Sequence, residues 1–331
     1  MGTQFKRVFF RGEKIKINIL VTSISKKVPM LKAVKVAAEK INSNIKVYGV
    51  DSDEACIGRY FVDQFWKIPK LDKLTIDYLL QYCLENNVTS IIPSRDGELL
   101  FFAKHKNVLN KNGIFVMIAT KKAVGRCLDK YLFSKFGTKH GYPVVQTETS
   151  FIDLVRDNQF YVVKERYGAG SNNIGLKLTK DQSIKYAEKL VTPIFQPYIE
   201  GEEITADVYV TRNGEVKGIV TRKRVLVVNG ESQISTTFRD QRLARLCSKV
   251  VTDLELYGHI VLQIIVDKNG HFHIIECNSR FGGASTLSIA AGLDSFYWFM
   301  LEVSGNDLHK YPFVRSNKEM MLVRYPEDLI L

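Results

Sequence analysis

The stretch His271-Phe272-His273-Ile274-Ile275-Glu276-Cys277-Asn278-Ser279-Arg280-Phe281-Gly282-Gly283-Ala284-Ser285 reads as an apolar strand running into a glycine turn. Successive strand side chains point to opposite faces. Phe272, Ile274, Glu276 and Asn278 therefore share one face, and His273, Ile275 and Cys277 share the other. A carboxylate presented beside a carboxamide suits a hard cation, because Mg²⁺ takes oxygen ligands and keeps contact with substrate phosphates. Arg280 follows two residues on, placed to grip an anion. The same residues also read as polar groups leaving the core at a strand end. Unusual buried polar groups tend to mark sites, and both readings stand at this point.

A partner strand lies just upstream. Val261-Leu262-Gln263-Ile264-Ile265-Val266 is rich in β-branched residues and runs into Asp267-Lys268-Asn269-Gly270. Asn-Gly between two apolar runs is a strong hairpin signal. The strands are expected to be antiparallel neighbours, which brings Gln263 alongside Glu276. Gln263, Glu276 and Asn278 then form an oxygen cluster at a sheet end.

The chain has 331 residues, enough for about two domains or one domain with lobes. Its hydrophobic content of 45% suits a large core. No run of 18 apolar residues occurs, so no transmembrane helix and no membrane partner are expected. The opening residues lack the apolar core of a signal peptide, and Lys6 breaks the myristoylation pattern. Cys56, Cys83, Cys127, Cys247 and Cys277 are odd in number, scattered and never spaced Cys-x-x-Cys. That argues for a reducing, cytoplasmic setting and against a disulfide framework or a zinc site. The net charge of +12 is spread along the chain rather than concentrated, which argues for anionic small substrates over nucleic acid.

The first third alternates strand and helix signals. Strands are expected at 15–21, 45–50, 88–92 and 114–118, with a short one inside 61–68. Leu31, Val34, Ala38 and Ile41 keep helical spacing, as do Ile76, Leu79, Leu80 and Cys83. This β-α-β order predicts a parallel sheet. Ligands of such sheets bind beyond the carboxyl ends of the strands, where Thr22–Ser25, Asp51 and Ser94–Glu98 fall. Asp96 also reads as a helix cap. No Gly-x-Gly-x-x-Gly follows the first strand, which weighs against a dinucleotide site.

Beyond residue 119 the character changes. A helix is expected from Leu128 to near Gly141. A strand at 160–164 ends in Lys164, and Glu165-Arg166-Tyr167-Gly168-Ala169-Gly170-Ser171-Asn172-Asn173-Ile174-Gly175 leads to a second strand. Glycines let backbone N–H groups approach a phosphate, and lysine adds a point charge. An ordinary glycine hairpin reads the same way. Strands at 204–210 and 216–221 flank Arg212-Asn213-Gly214, another hairpin signal, and Arg222, Lys223 and Arg224 then concentrate positive charge. A helix over 239–256 carries Leu243, Cys247, Val250 and Val251 on one face, which is core.

Taken in order, Asp129-Lys130, Val162-Val163-Lys164 with its glycine loop, Gln196-Pro197-Tyr198-Ile199-Glu200-Gly201-Glu202-Glu203, Gln263, and Ile275-Glu276-Cys277-Asn278-Ser279-Arg280 resemble the ATP-grasp superfamily, nearest to carbamoyl-phosphate-synthase-like members. The resemblance implies a mixed α/β and α+β fold: a parallel-sheet, Rossmann-like pre-ATP-grasp domain over 1–118, a linker and small lid lobe with a glycine-rich flap over 119–200, and a large lobe with the metal site over 201–331. It implies ATP with Mg²⁺, or Mn²⁺ in its place. Lys130 and Lys164 would reach the phosphates, and Gly168, Gly170 and Ser171 would lie in the flap. Gln196 and the backbone at Tyr198 would hold the adenine, and Glu203 the ribose. Gln263, Glu276 and Asn278 would hold the metal. Arg280 would steady an acyl phosphate, and Lys223 and Arg224 would neutralise phosphate or carboxylate. Two departures stand out: Glu165 where the family commonly has proline, and Cys277-Asn278-Ser279 where Ile/Val-Asn-Pro is commoner. The implied activity is ADP-forming ligation of a small carboxylate to an amine. Carbamoyl-phosphate-type chemistry on bicarbonate and a non-catalytic ATP-binding regulator are the alternatives. Related enzymes are often homodimers.

Overall fold

The computed structural model describes residues 18–154, 159–168 and 173–331. The first sheet is built from β1 (Asn18–Thr22), β2 (Val47–Asp51), β3 (Gln64–Lys67), β4 (Val88–Ile92) and β5 (Phe115–Val116). All its pairings are parallel, in the order β3-β2-β1-β4-β5. Helices α1 (Val28–Ile41), α2 (Ile76–Glu85) and α3 (Asp96–Lys111) make the crossovers. β4 is buried at every residue and β1 at all but its first, as a parallel sheet covered on both faces requires. The strand order reverses between β1 and β4. Thr22–Ser25 and Ser94–Glu98 therefore sit at the switch point of the sheet.

Helices α4 (Lys121–Leu128) and α5 (Lys130–Lys139) follow. The sequence reading begins one helix at Leu128; the structure instead ends one helix there and starts another at Lys130. Asp129 makes the break, because its carboxylate caps α5 through Tyr131 N and Leu132 N, both at 3.1 Å. α4 is short and carries Gly125 inside it, so the spacing of Ala123, Val124 and Cys127 is too brief to announce a helix of its own.

A three-stranded antiparallel sheet, β7-β6-β8, comes next, from β6 (Tyr161–Glu165), β7 (Gly175–Leu178) and β8 (Pro193–Pro197), with α6 (Lys180–Ala187). It has its own small core of Leu154, Tyr161, Val163 and Phe195.

The last sheet is antiparallel, in the order β13-β12-β9-β10-β11-β14. Its strands are β9 (Gly201–Val210), β10 (Val216–Val228), β11 (Glu231–Phe238), β12 (Gly258–Asp267), β13 (Phe272–Asn278) and β14 (Met321–Val323). Gly214 and Gly270 take φ of +83° and +76° in the two hairpin turns, a region glycine reaches without strain. Helix α7 (Gln241–Asp253) buries Leu243, Cys247, Val250 and Val251. α8 (Thr286–Ala290) and α9 (Ser295–Val303) follow β13. α9 lies against α1, with Lys40 Nζ 2.6 Å from Asp294. One continuous core joins the first and last sheets. No helix among the described residues is long and apolar enough to cross a membrane.

Candidate active site

The hairpin read from sequence forms, with Gln263 directly opposite Glu276 and Val261 opposite Asn278, but an irregularity between Gln263 and Ile264 breaks the alternation. Ile274 pairs with Ile264 on the core face and does not share the face of Glu276 and Asn278, as the unbroken two-residue period implies. β9 and β10 continue the same face. Thr205 lies across from both Gln263 and Arg222, and Asp207 across from Val261. The floor is thus a row of polar side chains on a sheet whose other face, through Ile204, Ala206, Leu262 and Ile264, is core. Asn278 Nδ2 donates to Glu276 Oε1 at 3.0 Å, so the two expected ligands already touch. Thr205 Oγ1 is buried beside them, with no hydrogen-bond partner among the described residues. The donor set offers one carboxylate and two carboxamides, all oxygen. Among the described residues no group of three or more His, Cys, Asp or Glu side chains converges on a metal position. Such a set fits Mg²⁺, which needs only one or two carboxylates when phosphates supply the remaining contacts.

Lys164 ends β6 and is buried. Burial lowers its pKa to about 8; Glu276 and Glu203 pull it back up, while Lys130 pushes it further down. Lys164, Lys130, Glu203 and Glu276 therefore share one electrostatic neighbourhood although they come from α5, β6, β9 and β13. The Lys130 ammonium lies 2.8 Å from the Gly168 carbonyl and holds the near end of the glycine loop. Gly170 and Ser171 lie outside the described residues. Arg166 makes two bonds to Asp129, at 2.8 and 2.6 Å, and Tyr167 donates to it at 3.0 Å. Burial raises the Asp129 pKa, but the Arg166 and Tyr167 hydrogen bonds and the α5 amides outweigh this and leave it lowered. The loop is thereby clamped to the start of α5. Glu165 accepts from Val191 N, Thr192 N and Thr192 Oγ1 at 2.8 to 3.0 Å, so the residue that departs from the family pattern closes a neighbouring turn.

Gln196 is buried and donates to Thr147 Oγ1 at 2.7 Å. Tyr198 N donates to Phe160 O at 3.0 Å, so its amide is engaged within the protein. Glu203 is bound by Arg224, and Arg224 also holds Ser232 Oγ at 2.9 Å and Gly230 O at 2.7 Å. Lys223 alternates to the opposite face of β10, where it pairs with exposed Glu202 at 3.1 Å. It does not line the cleft described below, which corrects the expectation that it neutralises substrate charge. The cause is the two-residue period of the strand, which keeps Arg222 and Arg224 inside and turns Lys223 out.

Arg280 is held by Asp96 through Nε at 2.8 Å and Nη2 at 2.5 Å. Asp96 is thus an arginine partner and not the helix cap it resembles. Glu98 does the capping, accepting from Ser94 N at 2.8 Å and Arg95 N at 3.1 Å, and from Thr22 and Ser23 hydroxyls at 2.7 and 2.6 Å. The Lys27 ammonium sits 2.6 Å from both the carbonyl and the hydroxyl of Ser94. Burial lowers its pKa to about 8, with Glu98 opposing.

Two features escaped the sequence reading. One is this Lys27–Ser94–Glu98 corner. The other is Asp207, at 0% exposure, which binds Arg222 Nε at 2.5 Å, His259 Nε2 at 3.2 Å, Ser285 Oγ at 2.6 Å and Ser288 Oγ at 2.5 Å. Burial raises its pKa, but the Arg222 charge and the His259 bond prevail and hold it well below the ordinary carboxylate range. The available signal was an ionisable residue in the middle of the apolar run 204–210. Cys277 is buried and faces away from Glu276, which leaves it no access to substrate.

One open cleft of about 1380 Å³ joins the oxygen ligands expected on β12 and β13 to the switch point of the first sheet; Lys130, Lys164, Gln196, Tyr198 and Glu203 do not line it. Gln263, Glu276, Asn278, Arg224 and Arg280 line one end, and Ser23, Lys27, Asp51 and Ser94 line the switch point of the first sheet.

Two family models match along the chain: the N-terminal domain described as PylC-like over residues 19–117, and "ATP-grasp in the biosynthetic pathway with Ter operon" over 189–327. A carbamoyl-phosphate synthase of Methanobrevibacter smithii is 25% identical over 260 residues, 72% of this chain and 69% of that protein. Among solved structures, the biotin carboxylase domain of Hydrogenobacter thermophilus 2-oxoglutarate carboxylase, a dimer with MgADP, ADP and bicarbonate, superposes with a TM-score of 0.74 at 17% identity, covering 93% of this chain and 74% of that one. N5-carboxyaminoimidazole synthetase of Staphylococcus aureus with ADP gives 0.70 at 17% identity, covering 90% and 80%. An L-amino acid ligase of Bacillus licheniformis gives 0.66 at 18% identity, covering 88% and 75%. The two family models in succession, on a parallel sheet followed by two antiparallel ones, make this chain an ATP-grasp protein.

Proposed function

We propose that this protein is an ADP-forming ligase that phosphorylates a carboxylate with Mg·ATP and couples the acyl phosphate to an amine or similar nucleophile. The observation that carries this reading is the alignment of Gln263, Glu276 and Asn278 on one polar floor, with the buried Lys164 ammonium of β6 near enough to feel the Glu276 charge. Two anions must meet for a carboxylate to attack a phosphoryl group, so the chemistry consists of positioning and charge screening. Mg²⁺, or Mn²⁺ in its place, would supply the largest part of that screening when bound through Glu276, Asn278 and Gln263. Lys164 and Lys130 would hold phosphate oxygens, and the stretch from Gly168 through Gly170 and Ser171 would cover them. Gln196, the backbone at Tyr198, and Glu203 would take the base and ribose. Arg280 and Arg224 would steady the transferred group. The names of the carboxyaminoimidazole synthetase and the amino acid ligase support the ligase class.

A division at 118 and 200 accompanies this reading, since the three sheets fall on either side of those points. So does a homodimer, in keeping with the dimeric biotin carboxylase domain. The carbamoyl-phosphate synthase relative favours a second reading, phosphorylation of bicarbonate or carbamate.

Incubation with Mg·ATP and a small-metabolite extract tests both readings. ADP, phosphate and a new condensed mass, all absent with Glu276→Ala, are expected. AMP and pyrophosphate would reject acyl-phosphate chemistry, and ADP release driven by bicarbonate alone would favour the second reading.

A further inference from the structure

The cleft has two unlike ends. One is the polar floor. The other carries an apolar wall, formed by Met30 from the first turn of α1, by Ile57, Tyr60 and Phe61 from the turn between β2 and β3, and by Leu71, with Lys26, Lys32, Asp51 and Ser52 also on the lining. Ile57 and Tyr60 are 55% and 54% exposed, although they face a concave space. Apolar side chains left open on the wall of a cleft, with a few polar groups converging at one end, are the usual make-up of a small-molecule site.

The apolar wall is held rigidly. Gly58 N donates to Ser25 O at 2.6 Å, which pins the turn to the loop that leaves β1. A Cβ at Gly58 would come within 2.9 Å of that same carbonyl, so the approach depends on glycine. Lys27, fixed by Ser94, stands at the corner where α1 begins and also lines the cleft. Leu329 adds an apolar side chain to the lining.

We propose that the carboxylate taken by this site carries a large apolar or aromatic body, seated against Met30, Ile57 and Tyr60, with its carboxyl group at the Glu276–Arg280 end. This rests on the ligase reading above. A small or doubly charged acid would leave the apolar wall wet. An apolar body without a polar head would leave Arg280 and the carboxamides of the floor without a partner from the ligand. In the reaction a carboxylate oxygen bonds to the γ-phosphorus, the bond to ADP breaks and ADP leaves. The hydroxylamine nitrogen then bonds to the acyl carbon, the bond to phosphate breaks and phosphate leaves, and the nitrogen gives one proton to solvent, which leaves the hydroxamic acid.

The test uses the full chain, Mg·ATP, hydroxylamine, and straight-chain acids from butyrate to octanoate with 3-phenylpropionate, succinate and glutamate beside them. Hydroxamate formation is read in one arm, and calorimetric binding of the acids without nucleotide in the other. Apparent affinity is expected to rise about three- to fourfold per added methylene until the wall is covered, following the transfer energy of a buried methylene. The double variant Ile57→Asp, Tyr60→Ser is expected to flatten that dependence, and both side chains are exposed enough for the change to leave the melting curve in place. Binding that is independent of chain length, or tightest for succinate or glutamate, would overturn the apolar body. A chain-length dependence that persists in the double variant would overturn its placement. Chain-length-dependent binding with no hydroxamate from any acid would uphold the apolar site and reject the ligase reading. Hydroxamate formed best from the polar acids would do the reverse.

Discussion

Asp207 and Asp96 each bind an arginine beside the 280–285 loop, but Asp207 and Arg222 are 0% and 3% exposed, whereas Asp96 and Arg280 are 16% and 18% exposed. Asp207 also takes His259, Ser285 and Ser288, so every donor around it depends on its charge. Among the described residues Asp96 has the single hydrogen-bond partner Arg280, at the edge of the cleft. The same pair of residue types thus does two jobs. The buried pair fixes the end of the loop to β9, and the edge pair parks a cation where an incoming anion can compete for it. Burial makes the difference. Removing one member of a closed pair strands the other without water, while an edge charge can be resolvated.

The largest effect that would sharpen this contrast is that of Asp207→Asn. It is expected to cost about 3–5 kcal/mol in chemical denaturation at neutral pH, because Arg222 stays buried with a neutral partner. The folded Asp207 pKa is lowered, so its stabilisation is complete above the unfolded carboxylate range and is lost as pH falls through the folded value. The gap between wild type and variant should therefore stay level from neutral pH down to about pH 5 and close only in stronger acid. A loss under about 1 kcal/mol, a surface-like value, would break the comparison.

Lys27 lies between these extremes, half-buried and close to Asp96 and Arg280. Its folded pKa, about 8 against 10.5, means that the folded state gives up this proton first. Its charge penalises folding at neutral pH, and stability should rise by about 3 kcal/mol between those two values as the penalty is relieved. Lys27→Met should abolish that rise, read as the difference between the two melting profiles. Parallel profiles would show that the ammonium is not desolvated as its burial requires.

The smallest stability effect is expected for Asp96→Asn, at most about 1 kcal/mol. Its signature is functional. Arg280 is released, and Mg·ATP should bind about two- to fivefold tighter at low salt, an advantage that salt erodes. Arg280→Gln in the same background should remove the gain. A stability loss as large as that of Asp207→Asn would erase the distinction between the pairs.

Residues 258–278 were legible from sequence because their information is local. Asn269-Gly270 fixes a turn and makes the two strands neighbours, but the register slips between Gln263 and Ile264, and it is this irregularity, invisible in the local pattern, that sets Gln263 opposite Glu276. The first sheet was legible for the same reason, from buried runs alternating with helical spacing. β11 was not, because Ser232, Ser235 and Thr237 point inward and give it no apolar alternation. Lys223 was misplaced because a cluster of charge in sequence is divided by the strand between two faces.

The sequence by itself determined the parallel first sheet, the pairing of the two strands around Asn269-Gly270, and the buried face of α7, which follow from periods of two or 3.6 residues and from a turn within one segment. Only the tertiary structure decided which charges are paired. Asp207 meets residues 15, 52, 78 and 81 positions away, and Asp96 meets one 184 positions away. Local spacing carries no record of such contacts. Whether a carboxylate is a buried anchor or an exchangeable partner at a cleft edge depends on the water left around it, and that is settled only when distant segments close over it.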